Sequence, residues 1–156
     1  MLVYLSLGAN LGDREATINK AIDLLATQVG PLIKRSDFYY SKPWGFDSPN
    51  DFCNLCASFE TSLSPIDLLH TTQSIERQLG RKEKSQILNP KSEIPNYTDR
   101  CIDIDIIRAF DDSGEEIKCE IINPNSQIST VPELTIPHPL WAQRDFVKVP
   151  LQQIMH

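Results

Sequence analysis

Apolar residues recur along the chain in two rhythms, one of strand period and one of helix period, and their alternation lays out the elements. Leu2-Val-Tyr-Leu-Ser-Leu7 is apolar and β-compatible and stops at Gly8, which predicts a first strand. Asp13 is placed to cap the next segment, where Ile18, Ala21, Ile22 and Leu25 mark one face of an amphipathic helix. Gly30-Pro31 interrupts, and Leu32 to Ser41 reads as a second strand. The prolines and glycine between Ser41 and Asn50 predict a loop, and residues 51–61 a third strand. Ser64, Pro65 and Asp67 are an N-terminal helix signature. Leu68, Leu69, Thr72, Ile75 and Leu79 form the buried stripe of that second helix, which Gly80 ends. Arg100 to Ile107 reads as a fourth strand, followed by a turn at Asp111-Asp-Ser-Gly114 and a short strand around Ile117. Segment 120–135 reads as irregular, and Pro137-His-Pro139 as the opening of a short C-terminal helix that Pro150 closes. The order predicts an α+β fold, a ferredoxin-like βαββαβ core with an antiparallel sheet. A fold of this kind names no function by itself.

Composition narrows the class. A length of 156 residues predicts one domain, 1–156, able to bury its own core without a disulfide or metal staple. Acidic residues outnumber basic ones 21 to 15, a net charge of −6, which argues against nucleic-acid polymers and anionic membranes as partners. No run approaches the ~18 apolar residues of a membrane span, and no leader pattern opens the chain. The expectation is a soluble, cytoplasmic protein. Of the four cysteines only Cys53 and Cys56 are closely spaced. In a strand, positions three apart face opposite sides, so zinc is not expected and the thiols read as reduced and mostly buried.

Candidate chemistry gathers at three places. Asp103 and Asp105 sit in Arg100-Cys-Ile-Asp-Ile-Asp-Ile-Ile107, where strand geometry turns both carboxylates to one face and Ile102, Ile104 and Ile106 to the other. Their α-carbons would lie roughly 6.6 Å apart. At an effective dielectric of ~20 two such charges repel by about 2.5 kcal/mol, which solvent or a cation must offset. Hard oxygen ligands suit Mg²⁺, which also takes phosphate oxygens; a solvated polar face is the plainer alternative. The segment just before, residues 81–100, holds Arg81, Lys82, Lys84, Lys91 and Arg100 against Glu83, Glu93 and Asp99, five minus three or +2. Such a loop is either solvated or a grip on an anion, and an unstructured stretch of this length is usually functional.

The second place is helix two. Gln73 and Glu76 share a face suited to a sugar hydroxyl or an adenine edge, or simply to water, and Arg81 follows the Gly80 cap. The third is the start of the third strand. Phe52 and Asn54 share a face opposite Cys53, Leu55, Ala57 and Phe59, and Asn is depleted in strands. A flat heteroaromatic stacked on Phe52 and hydrogen-bonded by the Asn54 amide would account for both, with Trp44 placed to close over it. His138 and Arg144 supply further donors near the C-terminus.

These residues fall within a wider resemblance. The chain resembles the 6-hydroxymethyl-7,8-dihydropterin pyrophosphokinase family of folate biosynthesis, nearly end to end. The likeness rests on Tyr4-Leu-Ser-Leu-Gly-Ala-Asn-Leu-Gly-Asp-Arg14, Tyr39-Tyr-Ser-Lys-Pro-Trp-Gly45, Phe52-Cys-Asn54 and Ile75-Glu-Arg-Gln-Leu-Gly-Arg81. It continues through Arg100-Cys-Ile-Asp-Ile-Asp-Ile106, Ile136-Pro-His-Pro139 and Arg144-Asp-Phe146. The resemblance implies a ferredoxin-like fold with long catalytic loops and transfer of pyrophosphate from ATP to the pterin hydroxymethyl group, releasing AMP. It implies two Mg²⁺ ions held by Asp103 and Asp105, with Arg81 and Arg100 also catalytic. Nucleotide contacts map onto Gln73, Glu76, Arg81, Arg100, Ile106, Thr135, His138 and Arg144. Pterin contacts map onto Ser41, Lys42, Pro43, Trp44, Phe52, Asn54 and Phe146. Partners are then small molecules, ATP and hydroxymethyldihydropterin, with no nucleic acid or membrane and a monomeric enzyme expected.

The chain departs from the family's usual pattern in places. Glu83 stands where many relatives carry a second Arg, flanked here by Lys82 and Lys84, and no Trp lies between Arg81 and Arg100, which makes Tyr97 the expected substitute. Ala9 replaces a usual Ser, and both the 81–100 loop and the 120–133 stretch are longer than usual. Two other classes compete. A non-catalytic ferredoxin-like binding or regulatory module would have no need of the paired aspartates. A metal-dependent nuclease is disfavoured by the acidic balance.

Overall fold

Strand β1 (Leu2–Ala9) is buried along almost its whole length because strands pair with it on both sides. Helix α1 (Arg14–Gln28) follows, then β2 (Leu32–Arg35), β3 (Tyr39–Ser41), β4 (Phe52–Glu60), helix α2 (Pro65–Gln78) and β5 (Asp103–Phe110). This computed structural model describes residues 1–42, 50–80, 101–122 and 134–155. The sheet runs β2-β4-β1-β5, β3 also pairs with β4, and every neighbouring pair is antiparallel. Strands β1 and β2 are therefore parallel across β4, and β4 and β5 parallel across β1. Two interleaved βαβ units result, the α+β arrangement that the element order predicts.

The two faces of the sheet carry different partners. Val3, Leu5, Leu7, Leu55, Ala57, Phe59, Ile104 and Ile106 pack with Ile18 and Leu25 of α1 and Leu68 and Ile75 of α2. Tyr4, Cys56 and Ile107 face the other way, towards Val147, Leu151 and Ile154 of α3 (Asp145–Ile154). The helices start where the sequence caps them: the Asp13 side chain accepts from the Ala16 N–H, and that of Ser64 from the Asp67 N–H. Gly80 closes α2 with φ +97°, a value glycine reaches without steric cost. Among the described residues no helix is long and apolar enough to cross a membrane.

Five expectations need correction. The strand expected over 32–41 is two strands, because side chains take the place of main-chain partners at the break between them. The N–H of Cys56 donates to Ser36 Oγ at 3.0 Å, and that of Asp37 to Gln153 Oε1 at 2.9 Å. The fourth strand is Asp103–Phe110 rather than 100–107; the register shift opposite Tyr4 and Leu5 leaves Ile107 as an extra, bulged residue. Alternation breaks at Ile106-Ile107 and resumes beyond it, which is why the period read from sequence ends there. Within the irregular stretch lie β6 (Cys119–Ile121) and β7 (Leu134–Ile136), an antiparallel pair too short to show a period. Around Ile117 there is only a bridge, Phe110 to Glu116. The C-terminal helix opens at Asp145, after a 3-10 turn at Trp141–Gln143, and Pro150 lies inside it. An internal proline costs a helix about 3 kcal/mol, but Val147, Pro150, Leu151 and Ile154 form one buried stripe that offsets it.

Candidate active site

Asp103 and Asp105 stand on the α3 face of β5, half-buried, while Ile102, Ile104 and Ile106 are buried. The register sets their surroundings. Asp103 pairs with Gly8, which on its other side pairs with Asn54; Asp105 pairs with Ser6, which pairs with Cys56. The cross-strand neighbours of the two carboxylates on β1 are thus a glycine and a serine, the two smallest polar-compatible choices. Two carboxylates on one strand face suit a Mg²⁺ ion that completes its shell with water and phosphate oxygens. Among the described residues no cluster of three or more His, Cys, Asp or Glu side chains competes as a metal cage. The donor set therefore fits the implied ion.

The outer edge of β5 is held from two directions. Glu76 is 6% exposed, and its Oε2 accepts the Ile104 N–H at 3.0 Å, between the two aspartates. Helix α2 is thereby tied to the aspartate strand, and Gln73 lies one turn back, half-buried. From the other side the His138 N–H donates to the Ile107 carbonyl at 2.8 Å. The imidazole Nδ1 accepts from the Leu140 N–H at 3.1 Å, so the neutral ring carries its proton on Nε2. Thr135 is half-buried on β7 opposite Glu120. Ile106 packs in the helix-side core, so a ligand at that position would meet backbone, not side chain. Arg144 is buried at the start of α3, its guanidinium carbon 5.8 Å from the centre of the Phe146 ring. Phe146 packs on the α3-side cluster.

The Phe52 and Asn54 end is built by β3. Asn54 Nδ2 donates to the Tyr39 carbonyl at 3.0 Å and to Ser41 Oγ at 2.9 Å. Lys42, the next residue, is exposed. Sequence reasoning gave no role to the residues that brace this end. Arg14 Nη1 donates to the Asp51 carbonyl at 2.7 Å, just before Phe52, and its guanidinium lies over the Tyr40 ring at 5.5 Å. The Tyr40 hydroxyl donates to Glu15 Oε1 at 2.7 Å; that bond holds the Glu15 carboxyl below its usual range and pushes the phenol up to about 12. Burial likewise pushes the thiols of Cys53 and Cys56 up, to about 11 and about 12. With pKa values this high both thiols stay protonated at neutral pH. Gly8 reads from sequence as the end of the first strand, whereas β1 continues through it to Ala9.

Of the predicted site, Pro43, Trp44, Arg81 and Arg100 lie outside the described residues, as do Lys82, Lys84 and Tyr97. A separate groove of about 560 Å³, lined by Leu2, Tyr4, Phe110 and Met155 with Glu60, Asp111 and Asp112, contains none of the candidate residues. It opens at the far end of β1, about 20 Å of strand away from Gly8.

Comparison with known proteins adds to this geometry. The chain is 43% identical over 153 residues to a 2-amino-4-hydroxy-6-hydroxymethyldihydropteridine pyrophosphokinase of Porphyromonas gingivalis, covering 98% of this chain and 90% of the relative. It is 36% identical to the same-named protein of Aquifex aeolicus, covering 97% and 79%. For that of Bacillus subtilis the identity is 31%, with 98% and 77% covered. A solved HPPK-DHPS chain in complex with substrates superposes with a TM-score of 0.63 at 16% identity, covering 98% of this chain and 40% of that one; it supports the fold alone. Residues 4–156 match the family described as 7,8-dihydro-6-hydroxymethylpterin-pyrophosphokinase (HPPK). With that match and relatives of this identity along nearly its whole length, the chain belongs to the HPPK family and is a pyrophosphokinase of folate biosynthesis.

Proposed function

We propose that the chain transfers pyrophosphate from ATP to the hydroxymethyl group of 6-hydroxymethyl-7,8-dihydropterin and releases AMP. The observation that carries this reading is the strip Phe52 and Asn54, Gly8, Asp103 across three adjacent strands on one face of the sheet. It brings a surface for a flat heterocycle beside a pair of carboxylates. In the reaction the pterin hydroxyl oxygen bonds to the β-phosphorus, the bond from that phosphorus to the α–β bridging oxygen breaks, AMP keeps the bridging oxygen, and the hydroxyl proton goes to solvent. Two Mg²⁺ ions held by Asp103 and Asp105 would supply charge neutralisation on the triphosphate. The chain's own part is positioning, the main requirement of a phosphoryl transition state. Phe52 and Phe146 hold the ring, Asn54 reads its edge with the backbone of Ser41, Lys42, Pro43 and Trp44, and the Nε2–H of His138 donates to the nucleotide. Gln73, Glu76, Ile106 and Thr135 border the nucleotide, and Arg81, Arg100 and Arg144 balance the phosphate charge.

The test is direct. Protein incubated with ATP, Mg²⁺ and hydroxymethyldihydropterin should form AMP and pterin pyrophosphate in equal amounts. Asp103→Ala and Asp105→Ala should each lower turnover by roughly a thousandfold while the melting temperature stays close to wild type. Folded wild-type protein that forms no AMP would overturn the reaction, and near-normal turnover in either variant would overturn the metal assignment.

A further inference from the structure

The groove at the far end of β1 is a second place where apolar surface and charge meet. Its volume of about 560 Å³ falls within the range of about 300–1,000 Å³ that small ligands occupy. Leu2, Tyr4 and Phe110 supply its apolar lining and Glu60, Asp111 and Asp112 its charge; among the described residues no lysine or arginine lines it. The cations nearby are already engaged. The Met1 ammonium stands 3.7 Å from Glu60 Oε1 and 3.8 Å from Asp112 Oδ1 and donates to the Thr61 carbonyl at 2.7 Å. Arg108 gives its guanidinium to Glu116. One ammonium against three carboxylates leaves the groove two charges negative. The hydroxyl and N–H of Ser113 and the N–H of Glu115 all donate to Asp111 Oδ1, and Oδ2 accepts none of the three. Tyr4 is an independent sign of a ligand. It is 8% exposed and meets Phe110 edge to face, ring centres 5.9 Å apart. A buried phenol usually finds a hydrogen-bond partner, yet the Tyr4 hydroxyl has none among the described residues. It is not one of the enclosed, unpartnered atoms of the core, so it opens into the groove that Tyr4 lines. Burial pushes the phenol above its ordinary value, so it faces the groove as a neutral hydroxyl that can accept as well as donate.

We propose that this groove binds an organic ammonium ligand, a protonated amine carried on a flat apolar body. The ammonium sits among the carboxylates of Glu60, Asp111 and Asp112 and gives one N–H to the Tyr4 hydroxyl, while the body covers Leu2 and Phe110. A hydrated metal ion would leave that apolar lining against water, and an anion would meet three carboxylates. Only a molecule that carries both charge and apolar surface uses both halves of the groove. The Phe110 ring already takes one cation, since Arg108 lies over it at 5.1 Å. The groove is about 20 Å along β1 from Gly8, so its ligand overlaps none of the residues proposed to hold pterin and ATP.

Tryptamine, a protonated amine on an indole ring, is the probe, and indoleacetate carries a similar ring with the opposite charge. In amide NMR spectra of the full chain, tryptamine should shift Leu2, Phe110 and Gly114 and leave Gly8 and Asp105 in place. Indoleacetate should bind about tenfold more weakly or worse. Tyr4→Phe keeps the ring, loses the acceptor, and should weaken tryptamine about fivefold. Glu60→Gln combined with Asp112→Asn should weaken it about fivefold as well, and added salt should weaken binding to wild type. Binding is read without turnover, so its outcome is independent of the reaction. No saturable shift, shifts confined to the Gly8 end, equal affinity for indoleacetate, or wild-type affinity in Tyr4→Phe would each overturn the proposal. Should Tyr4→Phe fail to fold, the carboxylate variant decides, and unchanged affinity there overturns it.

Discussion

At the scale of single residues, the candidate site is a matter of which side chains the strand period turns to one face. Phe52 and Asn54 alternate with Cys53 and Leu55, and the helix-side core takes the second pair. Phe52 is left half-buried beside Gly8. Phe52→Ala should therefore weaken hydroxymethyldihydropterin binding by about tenfold, on the scale of one lost aromatic contact and its buried area, and spare ATP affinity. Equilibrium titration of each ligand decides it, and an equal loss for both would count against stacking at this position. Asp103, Asp105, Phe52 and Asn54 were legible in the sequence because a period of two needs no tertiary information. Gly8, Arg14 and Tyr40 were not, because their reasons are contacts with residues distant along the chain: Asn54, Asp51 and Glu15.

At the scale of elements, the joint between α2 and β5 matters most. Glu76 reads from sequence as part of a ligand-facing helix surface beside Gln73. In the fold its Oε2 is the acceptor for the Ile104 N–H. Glu76→Ala should cost about 2 kcal/mol, since a buried N–H would be left without an acceptor, whereas Glu76→Gln retains an acceptor oxygen and should cost less. Urea unfolding measures both; equal stability of wild type and the alanine variant would remove the joint. A glutamine variant that keeps stability yet loses ATP affinity would show the second, nucleotide-facing role separately. The helices and long strands were legible here, since capping residues and a sustained period fix them. The break at Ser36, the bulge at Ile107 and the three-residue strands β6 and β7 were not, because each is specified by a hydrogen-bond partner that lies outside its own segment.

At the scale of the whole molecule, the arrangement depends on how α3 is seated on the sheet, because α3 brings Arg144 and Phe146 to the face that carries the aspartates. Part of that seating is electrostatic. Arg108 of β5 makes a two-point contact with Glu116, Nε to Oε1 at 2.8 Å and Nη2 to Oε2 at 2.9 Å. The same guanidinium lies 5.3 Å from the Trp141 ring, in the turn that leads into α3, and 3.6 Å from the sulfur of Met155 at its end. A net charge of −6 foretells none of this, since it says nothing of which carboxylates meet a cation. The hydrogen bonds from Arg108 hold the Glu116 carboxyl below its ordinary value of 4.5, and they outweigh the opposing effect of burial. A carboxyl lowered in this way binds fewer protons folded than unfolded, so it contributes stability above the ordinary value and loses it as pH falls through the folded one. Both side chains are about a quarter exposed or less, 22% for Arg108 and 24% for Glu116, so screening reduces but does not remove the effect. Glu116→Gln should destabilise the protein by about 1 kcal/mol at neutral pH. The difference from wild type should narrow as the pH is lowered past 4.5, where the wild-type carboxyl takes up its proton. Melting curves of the two proteins across that range test the pairing. A gap of constant size at every pH would mean that the glutamine disturbs packing, and that the charge of Glu116 contributes nothing to seating α3.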